Sequence, residues 1–362
     1  MPPPKLSPIE LIYSEQEIWT RLEIREFLFR FGHLYEFDSR FLGPLQNVQG
    51  DWRMKRFGGM IVWRCLYLLS TRSFELSANT KQLVKTMMHN WMEERDILDL
   101  YDRPEEQNQA FAEVLQLEGM TASRWQDVVE LVREANEEDV PDIKGNKVIQ
   151  EDELKITLKL LGLLLFEEGA RQSFIGISKE REAEHKREVK EYHIQESSNK
   201  SRRKILSNKV HQLQSLKRKE NEMKEVKRQL EELETLIRDE CATFHSKKLE
   251  FIRQALKSNK RMQPAGRDKL GNEYWMFNDL MDQACRNSEP YWAYGIIVIG
   301  PGYEGHEIKW WAVEGKKEME KLGKWLKWHH DQEVKSLIES IHQRVDYLNS
   351  LEWSVYGEGF FS

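Results

Sequence analysis

Three cysteines in 362 residues, Cys65, Cys241 and Cys285, are too few and too scattered for a disulfide framework, which points to a reducing compartment. No apolar run approaches the ~18–20 residues that cross a bilayer; the longest candidate, residues 158–166, is far too short. The opening Met1-Pro2-Pro3-Pro4-Lys5 has no apolar stretch and does not read as a secretion signal. Motifs of chemistry are missing as well. There is no P-loop, no His-Glu-x-x-His and no Gly-x-Ser-x-Gly. Gly300-x-Gly302-x-x-Gly305 formally fits a dinucleotide fingerprint, but the next expected element is a strand rather than a phosphate-binding helix, so it reads as a hairpin turn. Cys241 and His245 stand one helical turn apart without a second pair at ligand spacing. Nothing here points to an enzyme, a metal or another cofactor. Finally, residues 177–263 contain neither glycine nor proline. A breaker-free run rich in Glu, Lys, Arg and Leu signals long helix.

Charge is what the sequence has in abundance, at 32% of residues, beside 40% hydrophobics. That mixture suits a soluble protein with much exposed helix. The net charge of −6 conceals an asymmetry: residues 178–262 hold 23 Lys and Arg against 15 Asp and Glu, an excess of eight, which leaves −14 for the remainder. A basic rod between acidic modules points to polyanion contact by one part only.

The expected fold is mainly α: an N-terminal helical bundle, a long basic helical rod, and a small C-terminal α+β module with an aromatic hairpin. Residues 1–13 read as a Pro-rich disordered leader. Residues 14–102 read as a bundle, with helices expected at 15–31, 57–69 and 81–100; the second is apolar on all sides and should be central. Residues 103–176 form a further helical region, with helices at 107–117, 121–134 and a Leu-rich one at 151–170 that should be buried almost all round. The rod spans 177–263, with Ser197-Ser198-Asn199 as its expected interruption. From Val226 through Leu230, Leu233, Ile237 and Cys241 to Phe244 runs a heptad-like seam, compatible with a dimeric coiled coil, an antiparallel hairpin or a strut. Residues 264–350 form the C-terminal module, with strands at 291–299 and 308–313 and helices at 314–329 and 332–349, followed by a tail at 351–362.

Two stretches are informative about partners. Between Ser197 and Lys219 lie Lys200, Arg202, Arg203, Lys204, Lys209, Lys217, Arg218 and Lys219, with no acid among them. Such a face suits backbone phosphates of DNA without sequence preference. The triplets Arg202-Arg203-Lys204 and Lys217-Arg218-Lys219, twelve residues apart, also suit a bipartite nuclear import signal, and hence a nuclear location. The second stretch, residues 266–277, runs from Gly266, Asp268 and Gly271 into Tyr274, Trp275 and Phe277. Both glycines permit positive φ, and the rings are large enough to anchor a small domain.

Gly266-x-Asp268 followed by Tyr274-Trp275-x-Phe277 resembles the second WHIM motif, or WSD module, of non-catalytic subunits of ISWI-type chromatin remodellers. Residues 153–165, followed by Arg171-Gln172-Ser173-Phe174, resemble the first WHIM motif, and the order of the two is that of the family. Residues 22–32, with Phe27-Leu28-x-x-Phe31, look like the first helix of a DDT domain. The resemblance implies an accessory subunit that docks on the C-terminal helical region of an ISWI-type ATPase and touches linker DNA to influence nucleosome spacing. It implies partner contact by Gly266, Asp268, Tyr274 and Trp275, with the acid of Asp268 against a basic face of the motor. No membrane is involved, and self-association is compatible with the seam. The reading from another class is a coiled-coil scaffold protein without a remodeller partner.

Overall fold

The computed structural model describes residues 2–37, 42–136, 140–143, 147–168, 170, 177–214, 220–258, 262–280, 289–303, 305, 307–329 and 334–356. Its elements run β1 (Ser7–Ile9), α1 (Glu15–Phe31), α2 (Leu42–Leu45), α3 (Met54–Thr71), α4 (Ala78–Glu93), α5 (Ile97–Leu100), α6 (Pro104–Glu118), α7 (Ala122–Asn136) and α8 (Gln150–Leu163). The chain continues with α9 (Lys179–Gln214), α10 (Glu220–Lys257), β2 (Gly266–Arg267), β3 (Glu273–Trp275), α11 (Tyr291–Tyr294), β4 (Ile296–Gly300), β5 (Lys309–Val313), α12 (Lys316–His329) and α13 (Lys335–Leu351). This is the mainly helical architecture with a small C-terminal α+β part that the composition and periodicity suggest.

The bundle is built on α3, where no residue from 57 to 70 is exposed. Its Trp63 ring meets Phe111 of α6 at 4.4 Å, and α8 lies against it with Leu154, Leu160 and Leu161 fully buried. One hydrophobic core therefore joins α1, α3, α4 and α6 to α8, and the expected boundary at residue 102 does not exist. The reason is the amphipathic faces of α6 and α7, whose Phe111, Leu115, Trp125 and Val128 have no other apolar surface to cover.

Five antiparallel strands form one sheet in the order β1-β5-β4-β3-β2. Alternate side chains of β4 point to opposite faces, and both faces are covered. Ile296 and Val298 pack with Leu322, Leu326, Leu337 and Ile341 of α12 and α13. Ile297 packs with Trp310, Ala312, and Ile18 and Leu22 of α1. Helix α1 uses its other side, Phe27, Leu28 and Phe31, in the bundle core, so it is the plate between bundle and sheet.

Three expectations need correction here. Residues 1–13 are not a disordered leader: Ser7, Pro8 and Ile9 pair with Ala312, Trp311 and Trp310 as an edge strand, a position that tolerates proline. The expected strand at 291–299 starts as the short helix α11, because the carbonyls of Trp292 and Ala293 turn away from the ladder to meet buried arginines. The expected tail at 351–362 begins as packed structure: Glu352–Tyr356 continues α13 as a π-helical turn, with Glu352 buried against Lys316 and Trp353 stacked over His245.

The rod is not one helix. α9 runs unbroken through Ser197, Ser198 and Asn199 to Gln214, and α10 is a separate helix from Glu220. α9 and α10 lie antiparallel, which selects the intramolecular hairpin among the three arrangements that the seam allows. Its rungs are Glu188–Lys247, Tyr192 stacked on Phe244 at 3.8 Å, Asn199 to Glu240 at 2.6 Å, Arg203–Glu234 and Lys209–Glu222. Asn199 cannot break the helix because its amide donates to Glu240 across the interface. The arm is about 54 Å long at ~1.5 Å per residue, not the ~95 Å of a single rod.

Candidate functional site

The Gly266–Phe277 stretch folds as an antiparallel pair, with Gly266 opposite Tyr274 and Arg267 opposite Glu273. Its organiser is Asp268, 8% exposed. Oδ1 accepts the backbone N–H groups of Leu270 (2.9 Å) and Asn272 (3.0 Å). Oδ2 accepts Nδ2 of Asn272 (2.9 Å) and the Tyr274 hydroxyl (2.8 Å). A carboxylate offers about four acceptor positions, and here donors of its own module take them. Asn272 passes the order on: its Oδ1 accepts the Gly302 N–H at 2.8 Å and its Nδ2 donates to the Gly302 carbonyl at 2.9 Å, which clamps the β2–β3 turn to the β4–β5 turn. Burial, with Tyr303 and Asp268 adding to it, pushes the Tyr274 phenol well above its ordinary range, so it donates to Asp268 at any ordinary pH.

This geometry corrects the expected role of Asp268. Its carboxylate is turned inward and fully used, so it holds the module together rather than presenting charge to a partner. Gly266 is also structural, though not through positive φ: a Cβ there would stand 2.8 Å from the Leu337 Cβ, so the strand passes too close to α13 for any side chain. Gly271 does adopt φ +87°, as its turn requires. Tyr274 is buried, and Trp275 is half-buried against Trp19 at 4.8 Å and Phe277 at 6.1 Å. Of this stretch, Arg267, Lys269, Leu270 and Gly271 are exposed.

The sequence reading missed a second constellation, where α1, the root of α10 and the C-terminal module meet. Arg25 is fully buried: Nη1 donates to the Trp292 carbonyl (2.8 Å), and Nη2 to the Asn278 carbonyl (2.7 Å) and Gln46 Oε1 (3.0 Å). Arg344 of α13 does the same from the other side, to Ala293 (3.0 Å) and Phe277 (2.7 Å). Asp279 accepts the Tyr347 hydroxyl and pairs with Arg253 of α10 at 2.8 Å. Burial lowers the Arg25 guanidinium to about 10, and Arg344 also falls for the same reason, while burial raises the Glu26 carboxyl. The carbonyls and acids around them hold both arginines charged at neutral pH. A cleft of about 900 Å³ opens beside this joint, with Glu26, Trp275, Phe277 and Arg344 among its walls. No signal in the sequence announced it: α1 also carries Glu15, Glu17, Arg21, Glu23 and Arg30, so nothing marks Arg25 and Glu26 out.

The arm holds the expected DNA-binding residues, and its folding changes their electrostatics. Lys200 pairs with Glu196 (2.8 Å), Arg203 with Glu234 (2.9 Å) and Lys209 with Glu222 (3.9 Å). Arg202 and Lys204 are exposed and make no ion pair among the described residues. Lys217, Arg218 and Lys219 lie outside the described residues. The basic stretch is free of acids in sequence but not in space. Residues 196–214 carry five Lys and Arg against one Glu, whereas residues 220–240 carry four against eight Asp and Glu. Over these stretches the two helices thus present opposite charge.

Among the described residues no group of His, Cys, Asp and Glu could hold a metal ion. His245 Nδ1 instead lies 3.3 Å from the Ser350 hydroxyl. Gly300 ends β4 opposite Lys309, and Gly302 lies in the connection to β5, a hairpin. No protein-family model matches this chain, no curated protein matches it, and no solved structure matches it.

Proposed function

We propose that the chain is a non-catalytic accessory subunit of an ISWI-type chromatin remodelling complex, working in the nucleus. One observation supports this reading above the others. The three segments that resemble DDT, first-WHIM and second-WHIM elements lie up to about 250 residues apart, yet they assemble around α1 into one body. Phe27, Leu28 and Phe31 of α1 share a core with Leu154 and Leu160 of α8, and Arg25 of the same helix holds the carbonyls of Asn278 and Trp292. From this body the arm projects as a single charged lever. The body docks on the C-terminal helical region of the motor subunit, and the exposed Lys269–Leu270 turn, not Asp268, belongs to the contact. The arm meets linker DNA through Arg202 and Lys204 together with Lys217, Arg218 and Lys219, because Lys200, Arg203 and Lys209 of the same basic stretch are already paired.

Affinity purification from nuclear extract, read by mass spectrometry, tests the reading. Co-elution with a remodelling ATPase is expected; recovery of this chain alone would favour the coiled-coil scaffold instead. DNA binding is tested separately. With about three phosphates engaged, log K against log salt has a slope near −3. Replacing Arg202, Lys204, Lys217, Arg218 and Lys219 by Ala flattens it, and an unchanged slope removes the arm from the DNA contact.

A further inference from the structure

On one side of the arm, α9 and α10 do not close over each other. Ile205 is 65% and Leu236 43% exposed, and with Leu206 and Leu233 they line a groove of about 450 Å³. Ile194, 62% exposed, stands eleven residues before Ile205, within about 20° of it around the helix at ~3.6 residues per turn. Nearer the tip the seam is closed in the ordinary way, with Val210, Leu213 and Val226 buried against one another. Arg202 stands on the α9 edge of the groove and Glu232 on the α10 edge. These edges are the basic and the acidic rows described above.

We propose that this face pairs with the same face of a second copy of the chain, the two arms lying side by side and pointing the same way. Charge decides the arrangement. A twofold axis along the arm sets the basic α9 edge of one copy over the acidic α10 edge of the other, twice. An axis across the arm would set α9 on α9 and α10 on α10, with like charges opposed. The surface is therefore self-complementary in one orientation, as an isologous dimer interface must be. Its size is sufficient. A face of 19 residues is about 28 Å long and two helices are about 20 Å wide. Pairing two such faces covers on the order of 1,100 Å² in total, just above the ~1,000 Å² expected of a specific contact. The interface is thus a modest one whose apolar centre is Ile194, Ile205 and Leu236. This pairing does not depend on the remodeller reading.

Sedimentation equilibrium of the full chain, at about 1–100 µM, reads the outcome; interfaces at the small end of the specific range associate weakly. A concentration-dependent dimer is expected. Ile205→Glu and Leu236→Glu should each weaken it by about tenfold or more, since each buries an unpaired carboxylate. Helix content by circular dichroism should stay at the parent level, because both positions face solvent in one copy. Arg202→Glu and Glu232→Arg should each weaken the dimer, and the double exchange should restore it to within about threefold of the parent, because neighbouring charges couple. A parent that is monomeric at 100 µM, or a dimer indifferent to both apolar variants, overturns the pairing. A double exchange that fails to restore it overturns the parallel arrangement.

Discussion

The joint around Arg25 and the arm are built from the same residue types and use them in opposite ways. In the joint, two fully buried guanidiniums are spent on backbone carbonyls of segments remote in sequence, and the pairs are shielded from water. In the arm, Arg203–Glu234 and Lys209–Glu222 stand 40–60% exposed, where water and salt compete for every charge. A buried arginine thus fixes which pieces of chain belong together. An exposed one costs little to release, and a polyanion or a second arm can take it over. Architecture is fixed at the root of the arm and adaptability is left along its length.

The largest effect should come from the joint. Arg25→Met leaves the Trp292 and Asn278 carbonyls without their donor and should cost about 3–5 kcal/mol, measured by urea denaturation. Arg25→Lys should recover little, since one ammonium cannot span the fork of acceptors. A loss below about 1 kcal/mol would put the joint in the class of surface pairs.

Glu153 is the contrasting case, a buried carboxyl without a strong cationic partner. Burial pushes it up to about 7, with Trp125 and Lys55 pulling the other way. The sign follows from the raised value. The native state prefers the protonated acid, so the stability it contributes is complete below the unfolded value near 4.5 and is lost as pH rises through 7. Glu153→Gln should therefore be more stable than the parent at pH 8, on the order of 2–3 kcal/mol, and no more stable at pH 4. Melting temperatures of both proteins across that range check it; parallel pH profiles would show that Glu153 does not titrate there.

Next comes the Asp268 turn. Asp268→Asn puts an amide donor among four donors and should cost about 1–3 kcal/mol. Tyr274→Phe should cost less, and the two together less than their sum, because they share one hydrogen bond. Additive losses would separate the residues. Smallest of all, Arg203→Ala or Glu234→Ala should change stability by about 0.2–1 kcal/mol, vanishing at high salt; a larger loss would mean that the arm is locked as the joint is.

Local pattern made much of this legible. Periodicity placed α1, α3 and α8, and the missing glycine and proline announced the arm's helices. The pairing of Asn199 with Glu240 was not legible, because both are ordinary polar residues until a chain reversal sets them face to face. Arg25 was hidden for a related reason: a charge on a helix reads as a solvated position unless its distant acceptors are known. Asp268 was singled out correctly as special, but a sequence cannot tell an acid that faces a partner from one that four neighbours of its own turn already satisfy.

The edge strand β1 has a consequence in time. Ile9 pairs with Trp310, so the first strand waits for a partner made about 300 residues later. At a ribosomal rate of about 5–20 residues per second, that is roughly 15–60 s during which the bundle can assemble while the first strand dangles. The sheet can close only after β5 is made, and its closure draws Ser7–Ile9 back onto residues 310–312. Unfolding should begin at this late contact, by peeling Ser7–Ile9 from β5 and baring Trp310, a fluorescent reporter placed at the seam that opens first.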